Sequence, residues 1–169
     1  ESDAHIGIVS SEPTEPGLQI QQFFRDPISL LVPSGHRWVG AKPISPEDIL
    51  QEPIIIREES SGTRRVMLEE LAKFDISIED LNIFLEVGNV EAVVELISNS
   101  YGVSFVSGLA SRYLRQLGRV VNIPVHGLKM ERINYMVRKQ TSPPHRARDV
   151  FWGFIHAPEN ADIINQNLS

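Results

Sequence analysis

The sequence contains no cysteine, which excludes a disulfide framework, a thiol nucleophile and a zinc site built from Cys-x-x-Cys. It also lacks a dense run of basic residues: 16 lysines and arginines stand against 22 acidic residues, for a formal net charge of -6. Such a chain is a poor candidate for binding the phosphate backbone of a nucleic acid, so any contact with nucleic acid would need another segment. No apolar run approaches the roughly 18 residues that a membrane-spanning helix requires.

The chain has 169 residues, of which 41% are hydrophobic, enough for one ordinary domain or two small lobes with a core. Short apolar runs alternate with stripes of helical spacing, and this order predicts an α/β fold with a largely parallel sheet. The predicted strands cover residues 5–9, 28–32, 53–56, 85–87, 102–107, 120–125 and 133–137, and the predicted helices lie near 66–74, 90–97 and 109–117.

A further helix is predicted to begin at Ser142 and Pro143, because proline is favoured in the first helical turn. Its apolar residues recur with helical spacing, so we expect them to form one face directed toward the core. That predicted face consists of Ala147, Val150, Phe151, Phe154 and Ile155.

The stretch REESSGTR, residues 57–64, joins a predicted buried strand to a predicted helix. Three hydroxyl residues, Ser60, Ser61 and Thr63, surround Gly62 at this point, and glycine permits close approach of the backbone. First-turn N–H groups and the positive end of the helix dipole favour a small anion here. The simpler interpretation is that one hydroxyl caps the helix. The stretch lacks the lysine and spacing of a Walker A loop.

Three other predicted strand ends carry similar chemistry. Ser10 and Ser11 follow the first strand, Asn89 opens the helix at residue 90, and Ser107 opens the helix at residue 109. Each residue by itself is typical of a helix cap or a turn. In open α/β sheets, however, ligands lie beyond the carboxyl ends of the strands, so four polar strand ends together predict a polar cleft for a small anion.

Residues that usually carry catalysis are scattered. The five histidines show no HExxH or other ligand spacing, and the sequence has neither a GxSxG elbow nor a GxGxxG turn after a strand. The adjacent acids Glu58 and Glu59, and likewise Glu69 and Glu70, are typical of solvated positions. We therefore predict no catalytic residue, no metal site and no cofactor.

Five segments in a fixed order bear a resemblance to a known family. They are residues 3–9, 30–36, 56–64 with REESSGTR, 86–93, and 101–107 with GVSFVS. The set resembles the effector-binding domain of LysR-type transcriptional regulators, and the resemblance covers nearly the whole chain. It implies an α/β fold with two lobes, like that of type II periplasmic binding proteins, with the effector in a cleft between the lobes.

Carried over by position, the resemblance assigns residues 1–26 and 121–169 to lobe I and residues 27–120 to lobe II, with hinges near 24–28 and 119–124. The chain lacks the family's winged helix-turn-helix, its linker helix and the first part of lobe I. Relative to the family it is therefore N-terminally truncated, and its first lobe is expected to be incomplete. DNA would be bound only through a segment absent from this chain.

The resemblance implies an effector site at the strand ends. Its expected ligands are Ser10, Ser11, Ser60, Ser61, Gly62 and Thr63, with Asn89 and Ser107 as further candidates. REESSGTR looks most like the branch that regulates sulfur assimilation and carbon fixation. The expected effector is therefore sulfite, sulfate, or a phosphorylated or carboxylated metabolite.

The resemblance also implies a cytoplasmic, non-enzymatic protein that self-associates as a dimer or tetramer. Two alternatives stay open: a periplasmic-type solute-binding protein for a small anion, and an anion-binding enzyme of the same two-lobed fold. A DNA-binding segment encoded upstream would decide for the regulator, a signal peptide for the solute-binding protein, and turnover of a bound anion for the enzyme.

Overall fold

The structure is a computed structural model that describes residues 5–140 and 145–161. The chain divides into two compact units. One comprises Glu1–Asp26 with Ile133–Ser169. The other, the middle unit, comprises Pro27–Arg132. Within the described residues, no helix is both long enough and apolar enough to cross a membrane.

Helices and strands alternate along the described chain, which confirms the predicted α/β class. The strands are β1 Gly7–Val9, β2 Leu18–Pro33, β3 Ile54–Arg57, β4 Ile83–Val87, β5 Ser104–Ser107, β6 Val120–Ile123 and β7 Met130–Lys139. The α-helices are α1 Gly62–Leu71, α2 Val90–Ser98, α3 Gly108–Gln116 and α4 Arg146–His156. Short 3-10 helices cover Pro46–Gln51, Ala72–Phe74, Ile78–Asp80 and Pro158–Asn160.

The core of the middle unit is built around β3, which is buried on both of its faces. Side chains of a strand alternate between the two faces. Ile54 and Ile56 therefore join the cluster that contains Met67 of α1, whereas Ile55 joins the cluster that contains Val94 of α2. The continuous apolar run of β3 is thus explained, because a helix covers each side of this strand.

The sheet prediction was correct around β3 and wrong elsewhere. β3 pairs in parallel with β4, and Ile54 forms a parallel bridge with Val103 just before β5. β2, in contrast, pairs antiparallel with β5 and with β6, and β1 pairs antiparallel with β7. The strand-helix pattern of residues 53–107 indicated parallel pairing, but β2 and β7 are long strands whose partners lie far away in sequence.

Residues 53–55 and Val103 pair in parallel, and this pairing leaves no room for a side chain at Gly102. The Val103 N–H donates to the Pro53 carbonyl and the Ile55 N–H donates to the Val103 carbonyl, each at 2.9 Å. A Cβ atom on Gly102 would lie 2.4 Å from the Pro53 carbonyl oxygen, which is backbone and cannot turn aside. Glycine at this position therefore allows the two backbones to approach.

The contacts of β6 show which of the two units contains residues 121–132. Ile123 pairs with Leu30 of β2, and both Ile123 and Met130 lie in the core of the middle unit. These residues consequently group with Pro27–Arg132, whereas the sequence analysis assigned them to lobe I.

In the other unit, the predicted apolar face of α4 was wrong. Val150, Phe151 and Phe154 are exposed, and the helix instead buries Trp152 and Arg148. The large indole of Trp152 is covered by the guanidinium of Arg138, 4.4 Å from the ring centre, and this packing sets the rotation of the helix. The predicted start at residues 142 and 143 lies outside the described residues.

Candidate functional site

Three helices of the middle unit begin where a strand ends. Because β3 and β4 are parallel, Arg57 and Val87 are neighbours at one edge of the small sheet. α1 and α2 begin a few residues beyond them, and α3 begins directly after β5. The unpaired first-turn N–H groups of these helices therefore lie beyond carboxyl ends of strands, as the sequence pattern predicted.

The first of these helices, α1, begins with a hydroxyl that does not cap it. Ser61 occupies the N-cap position with extended backbone, but its side chain accepts no hydrogen bond from the first turn. The hydrogen bonds that define this helix start are made by the backbone. The Ser61 N–H donates to the Glu58 carbonyl at 3.0 Å, and the Arg65 N–H donates to the Ser61 carbonyl at 3.1 Å. Ser61 is only 6% exposed as a residue, and its hydroxyl does not cap the helix that it begins.

Thr63, in the first turn of α1, contacts an arginine that the sequence analysis missed. Its side chain is 4% exposed, and Arg132 Nη1 donates to Thr63 Oγ1 at 3.4 Å. Arg132 lies on β7, 69 residues away along the chain. No local pattern links positions so far apart, so only the folded structure reveals this contact.

Two other arginines near the start of α1 are held by carboxylates. Arg57 donates from Nε and Nη2 to the two oxygens of Glu58, at 2.7 and 2.8 Å. This hydrogen-bonded pair lowers the pKa of Glu58 below its ordinary value. Arg64 donates from Nη1 to Glu86 Oε2 at 2.8 Å and to the Arg57 carbonyl at 3.0 Å. Both positive charges are therefore balanced by neighbouring side chains.

The other two helix starts use their polar side chains as caps. Asn89 Oδ1 accepts from the Ala92 N–H at 2.9 Å, and Ser107 Oγ accepts from the Ala110 N–H at 3.4 Å. The Ser107 carbonyl also accepts from Ser111 Oγ at 3.1 Å. These contacts give both residues a structural role at the start of α2 and α3.

The remaining predicted ligands divide between the two units. Gly62 is buried as the first residue of α1, and Ser60 is exposed just before it. Ser10 and Ser11 follow β1 in the other unit, where Ser10 is half-buried and Ser11 is exposed. The middle unit therefore holds six of the eight predicted ligands: Ser60, Ser61, Gly62, Thr63, Asn89 and Ser107.

The groups at the start of α1 can donate hydrogen bonds to an anion. Ser61 and Thr63 carry hydroxyls, α1 offers first-turn N–H groups, and the helix dipole makes the potential positive here. Among the residues that the structure describes, no cluster of three or more histidine, aspartate or glutamate side chains could hold a metal ion. Helix starts with such donors are common binding places for oxyanions in other proteins.

A comparison with protein families identifies the chain. Residues 1–158 match the LysR substrate binding domain, and the chain belongs to that family. The family is one of transcriptional regulators and not of enzymes. A curated relative is the uncharacterized HTH-type transcriptional regulator MJ0300 of Methanocaldococcus jannaschii, 34% identical over 131 residues, which cover 78% of this chain and 44% of the relative. The chain spans about half the length of the curated relatives it matches.

Solved structures show the same fold. The regulatory domain of Synechocystis PCC6803 CcmR in complex with 2-PG has a TM-score of 0.77 and 23% identity, over 92% of this chain and 73% of that one. The effector binding domain of QuiR in complex with shikimate has a TM-score of 0.73 and 20% identity, over 89% and 69% of the two chains. The fold is therefore that of LysR effector-binding domains, as the resemblance implied.

Proposed function

We propose that this chain is the effector-sensing domain of a LysR-type regulator and that it binds a small anionic metabolite at the start of α1. The signal would reach DNA through a segment outside this chain, in the cytoplasm. The observation that carries the proposal is Ser61: this serine, 6% exposed, stands at a helix N-terminus, and its hydroxyl accepts no hydrogen bond from the helix that it begins.

Because the helix does not use the Ser61 hydroxyl, its proton is available to a ligand that can accept it. Thr63 lies two residues further along, on the first turn of the same helix. Two hydroxyls and the first-turn N–H groups form a set of donors, and a ligand rich in acceptor oxygens matches that set. Sulfate, sulfite, phosphoryl and carboxylate groups all meet this requirement.

The comparisons support a small-molecule effector of this kind. Two proteins of the same fold are in complex with 2-PG and with shikimate, and shikimate carries a carboxylate. We propose Ser61 and Thr63 as the principal ligands, with Ser60 and Gly62 beside them. Ser10, Ser11, Asn89 and Ser107, and the placement of the effector between two lobes, stay predictions from the family resemblance.

Calorimetric titration of the Ser61→Ala and Thr63→Ala variants with sulfate, sulfite and shikimate tests the proposal. Loss of one hydroxyl that donates to a charged ligand should weaken binding about 10- to 150-fold. The Ser61→Ala variant should keep its melting temperature, because Ser61 does not cap α1. Unchanged affinity in both variants, together with a lower melting temperature, would mean that the hydroxyls serve only the helix.

We further propose that the chain self-associates through the exposed side of β4. Ile83, Phe84 and Leu85 are 40 to 54% exposed, and β4 has β3 as its strand neighbour in the two-stranded sheet. An apolar edge strand of this kind is unfavourable in water and favours pairing with a second copy. Sedimentation at micromolar concentration should show a dimer or tetramer that Phe84→Asp dissociates, and a wild-type monomer would contradict this.

A further inference from the structure

Asn134, on β7, belongs to the unit that comprises Glu1–Asp26 with Ile133–Ser169, and it is 5% exposed. Its side-chain nitrogen, Nδ2, is buried and has no hydrogen-bond partner among the residues that the structure describes. We infer that this amide binds an acceptor oxygen of the small-molecule effector. The inference rests on the proposed function for the class of ligand, and it assigns a residue in a different unit from Ser61 and Thr63.

The buried amide distinguishes Asn134 from other asparagines of the chain. Asn99 Nδ2 donates to the Glu95 carbonyl at 2.8 Å, and Asn160 Nδ2 donates to the Phe154 carbonyl at 2.8 Å. Bulk water cannot supply the missing acceptor to Asn134, because the Nδ2 atom is buried. Buried donors in this condition are rare in folded proteins, and an oxygen of a bound molecule would complete the hydrogen bonding of this one.

Other side chains also contain a buried polar atom without a hydrogen-bond partner among the described residues, namely Arg115 at Nε, Asn122 at Oδ1 and His156 at Nε2. These three residues are half-buried, so a small movement of the side chain brings the atom to water. Asn134 cannot gain water in this way, because the whole residue is buried. Of these residues, Asn134 therefore gains most from an acceptor on a ligand.

The strand pattern of β7 also sets Asn134 apart. Side chains alternate between the two faces of a strand, so Asn134 shares a face with Met136, which is 1% exposed. Its apolar neighbours Ile133 and Tyr135 lie on the opposite face and are only half-buried. The polar residue thus occupies a more buried position than the apolar residues beside it, which is the reverse of what stability alone favours. Positions that break this rule are expected at functional sites.

Asn134 lies where β1 ends. The two strands are antiparallel, with Val9 of β1 opposite Tyr135 of β7. Continued by one residue, this register brings Ser10 opposite Asn134, and opposite residues point to the same face of a sheet. Ser10 is half-buried and Ser11 is exposed, so the chain reaches the surface at this point. An oxygen of a small molecule therefore has a short path to Asn134 at the end of β1.

The chemistry of the amide determines which group it binds. An asparagine nitrogen carries two N–H donors and no charge, so it matches a hydroxyl, carboxylate, sulfate or phosphoryl oxygen. Asn134 differs in this respect from the start of α1, where the helix dipole favours negative charge. A metabolite with both hydroxyl and carboxylate oxygens fits the two kinds of donor, and shikimate carries both groups.

Nuclear magnetic resonance of the isotope-labelled chain tests the inference directly, because each asparagine side chain gives its own pair of amide signals. Addition of shikimate or sodium sulfate should shift the Asn134 pair, assigned from triple-resonance spectra. The Asn99 pair is the internal control and should not move, because that amide already donates to the Glu95 carbonyl. An unmoved Asn134 pair at saturating ligand would overturn the inference.

The Asn134→Leu variant separates a ligand role from a structural one, because leucine has nearly the shape of asparagine and no hydrogen-bonding group. Shikimate affinity should fall about 3- to 10-fold, the effect of one lost hydrogen bond. The melting temperature should stay the same or rise, since a buried donor without an acceptor is removed. Asn99→Leu is the matched control and should bind like the wild type. Unchanged affinity in Asn134→Leu, or a lower melting temperature, would contradict the proposed role.

The outcomes also separate this inference from the proposed function. If Ser61→Ala loses affinity while Asn134→Leu binds like the wild type, the site at the start of α1 stands and the role of Asn134 is refuted. If Asn134→Leu loses affinity while Ser61→Ala and Thr63→Ala bind like the wild type, the reverse holds. If the wild type binds neither shikimate nor sulfate, both are refuted. Should Asn134→Leu fail to fold, the amide signals of the wild type decide.

Discussion

The starts of α1 and α2 use similar residues in different ways. Asn89 is exposed and accepts a hydrogen bond from the first turn of α2, at 2.9 Å. Ser61 is buried and accepts none from α1. A cap stabilises the fold, whereas a hydroxyl that does not cap the helix stays available to a ligand. Under the proposed function, α2 begins with a structural residue, and the residue that begins α1 is left free to bind the effector.

The largest effect should follow from placing a permanent anion at the start of α1. Ser61→Asp adds a carboxylate that caps the first turn and occupies the position proposed for the ligand. Sulfate affinity should fall about 100-fold or more, while stability rises by about 0.5 kcal/mol. Calorimetry and thermal melts measure both. Ser61→Asn, which caps without charge, is the control, and retained sulfate affinity in Ser61→Asp would contradict the assignment of this site.

Asn89→Ala should show the opposite behaviour. Loss of an N-cap side chain lowers the free energy of unfolding by about 1 kcal/mol. Sulfate affinity should not change, because Asn89 Oδ1 is already engaged by the Ala92 N–H. Urea denaturation gives the stability, and the same titration gives the affinity. Weaker sulfate binding with unchanged stability would make Asn89 a ligand and remove the contrast between α1 and α2.

Ser107→Ala should have a smaller effect of the same kind. The bond from the Ala110 N–H to Ser107 Oγ is long, at 3.4 Å, so its loss should lower the free energy of unfolding by about 0.5 kcal/mol. Ser107→Asn, which can restore a cap, is the matched variant. A loss larger than that of Asn89→Ala would show that Ser107 has a role beyond the cap.

The smallest effect concerns pH. Arg57 lowers the pKa of Glu58 in the folded state below the ordinary value of 4.5. The pair therefore stabilises the fold above pH 4.5, and this contribution is lost as the pH falls through the lower, folded-state pKa. Because the Glu58 side chain is 32% exposed, the contribution should be less than about 0.5 kcal/mol.

The Glu58→Gln variant tests this by denaturation at several pH values. It should lose less stability than the wild type as the pH falls below 4.5, since it no longer carries the titrating carboxylate. Glu59→Gln is the control, because Glu59 is exposed and adjacent to the pair. Identical slopes for the wild type and Glu58→Gln would show that the pair adds nothing to stability.

Local patterns predicted most helices and strands but not how they face their neighbours. The apolar stripe of residues 90–97 closely matches α2, where Val93, Val94 and Ile97 are buried. The stripe on α4 was equally regular, yet Trp152 with its Arg138 contact set the rotation of that helix. Periodicity fixes the type of element, and packing against distant residues fixes the buried face.

In the candidate site, too, residues that are adjacent in sequence could be predicted and a contact between distant residues could not. Residues 60–63 are adjacent in sequence, so their position at one helix start could be inferred from a strand, a glycine and a helical stripe. Arg132 could not, because its contact with Thr63 depends on how β7 passes the start of α1. The sequence also could not distinguish Ser61 from Asn89, since both types are favoured at an N-cap.

The close approach of the backbones at Gly102 and Pro53 limits which residues can be mutated to change ligand specificity. Ser60 and Glu59 are exposed, so a library can vary them freely, and new ligand specificity is most easily selected there. Gly102 supports the strands beneath that loop and admits no side chain, since even alanine would collide with the Pro53 carbonyl. A mutational library should therefore leave residue 102 fixed, and random mutagenesis across the chain should recover no functional variants at that position.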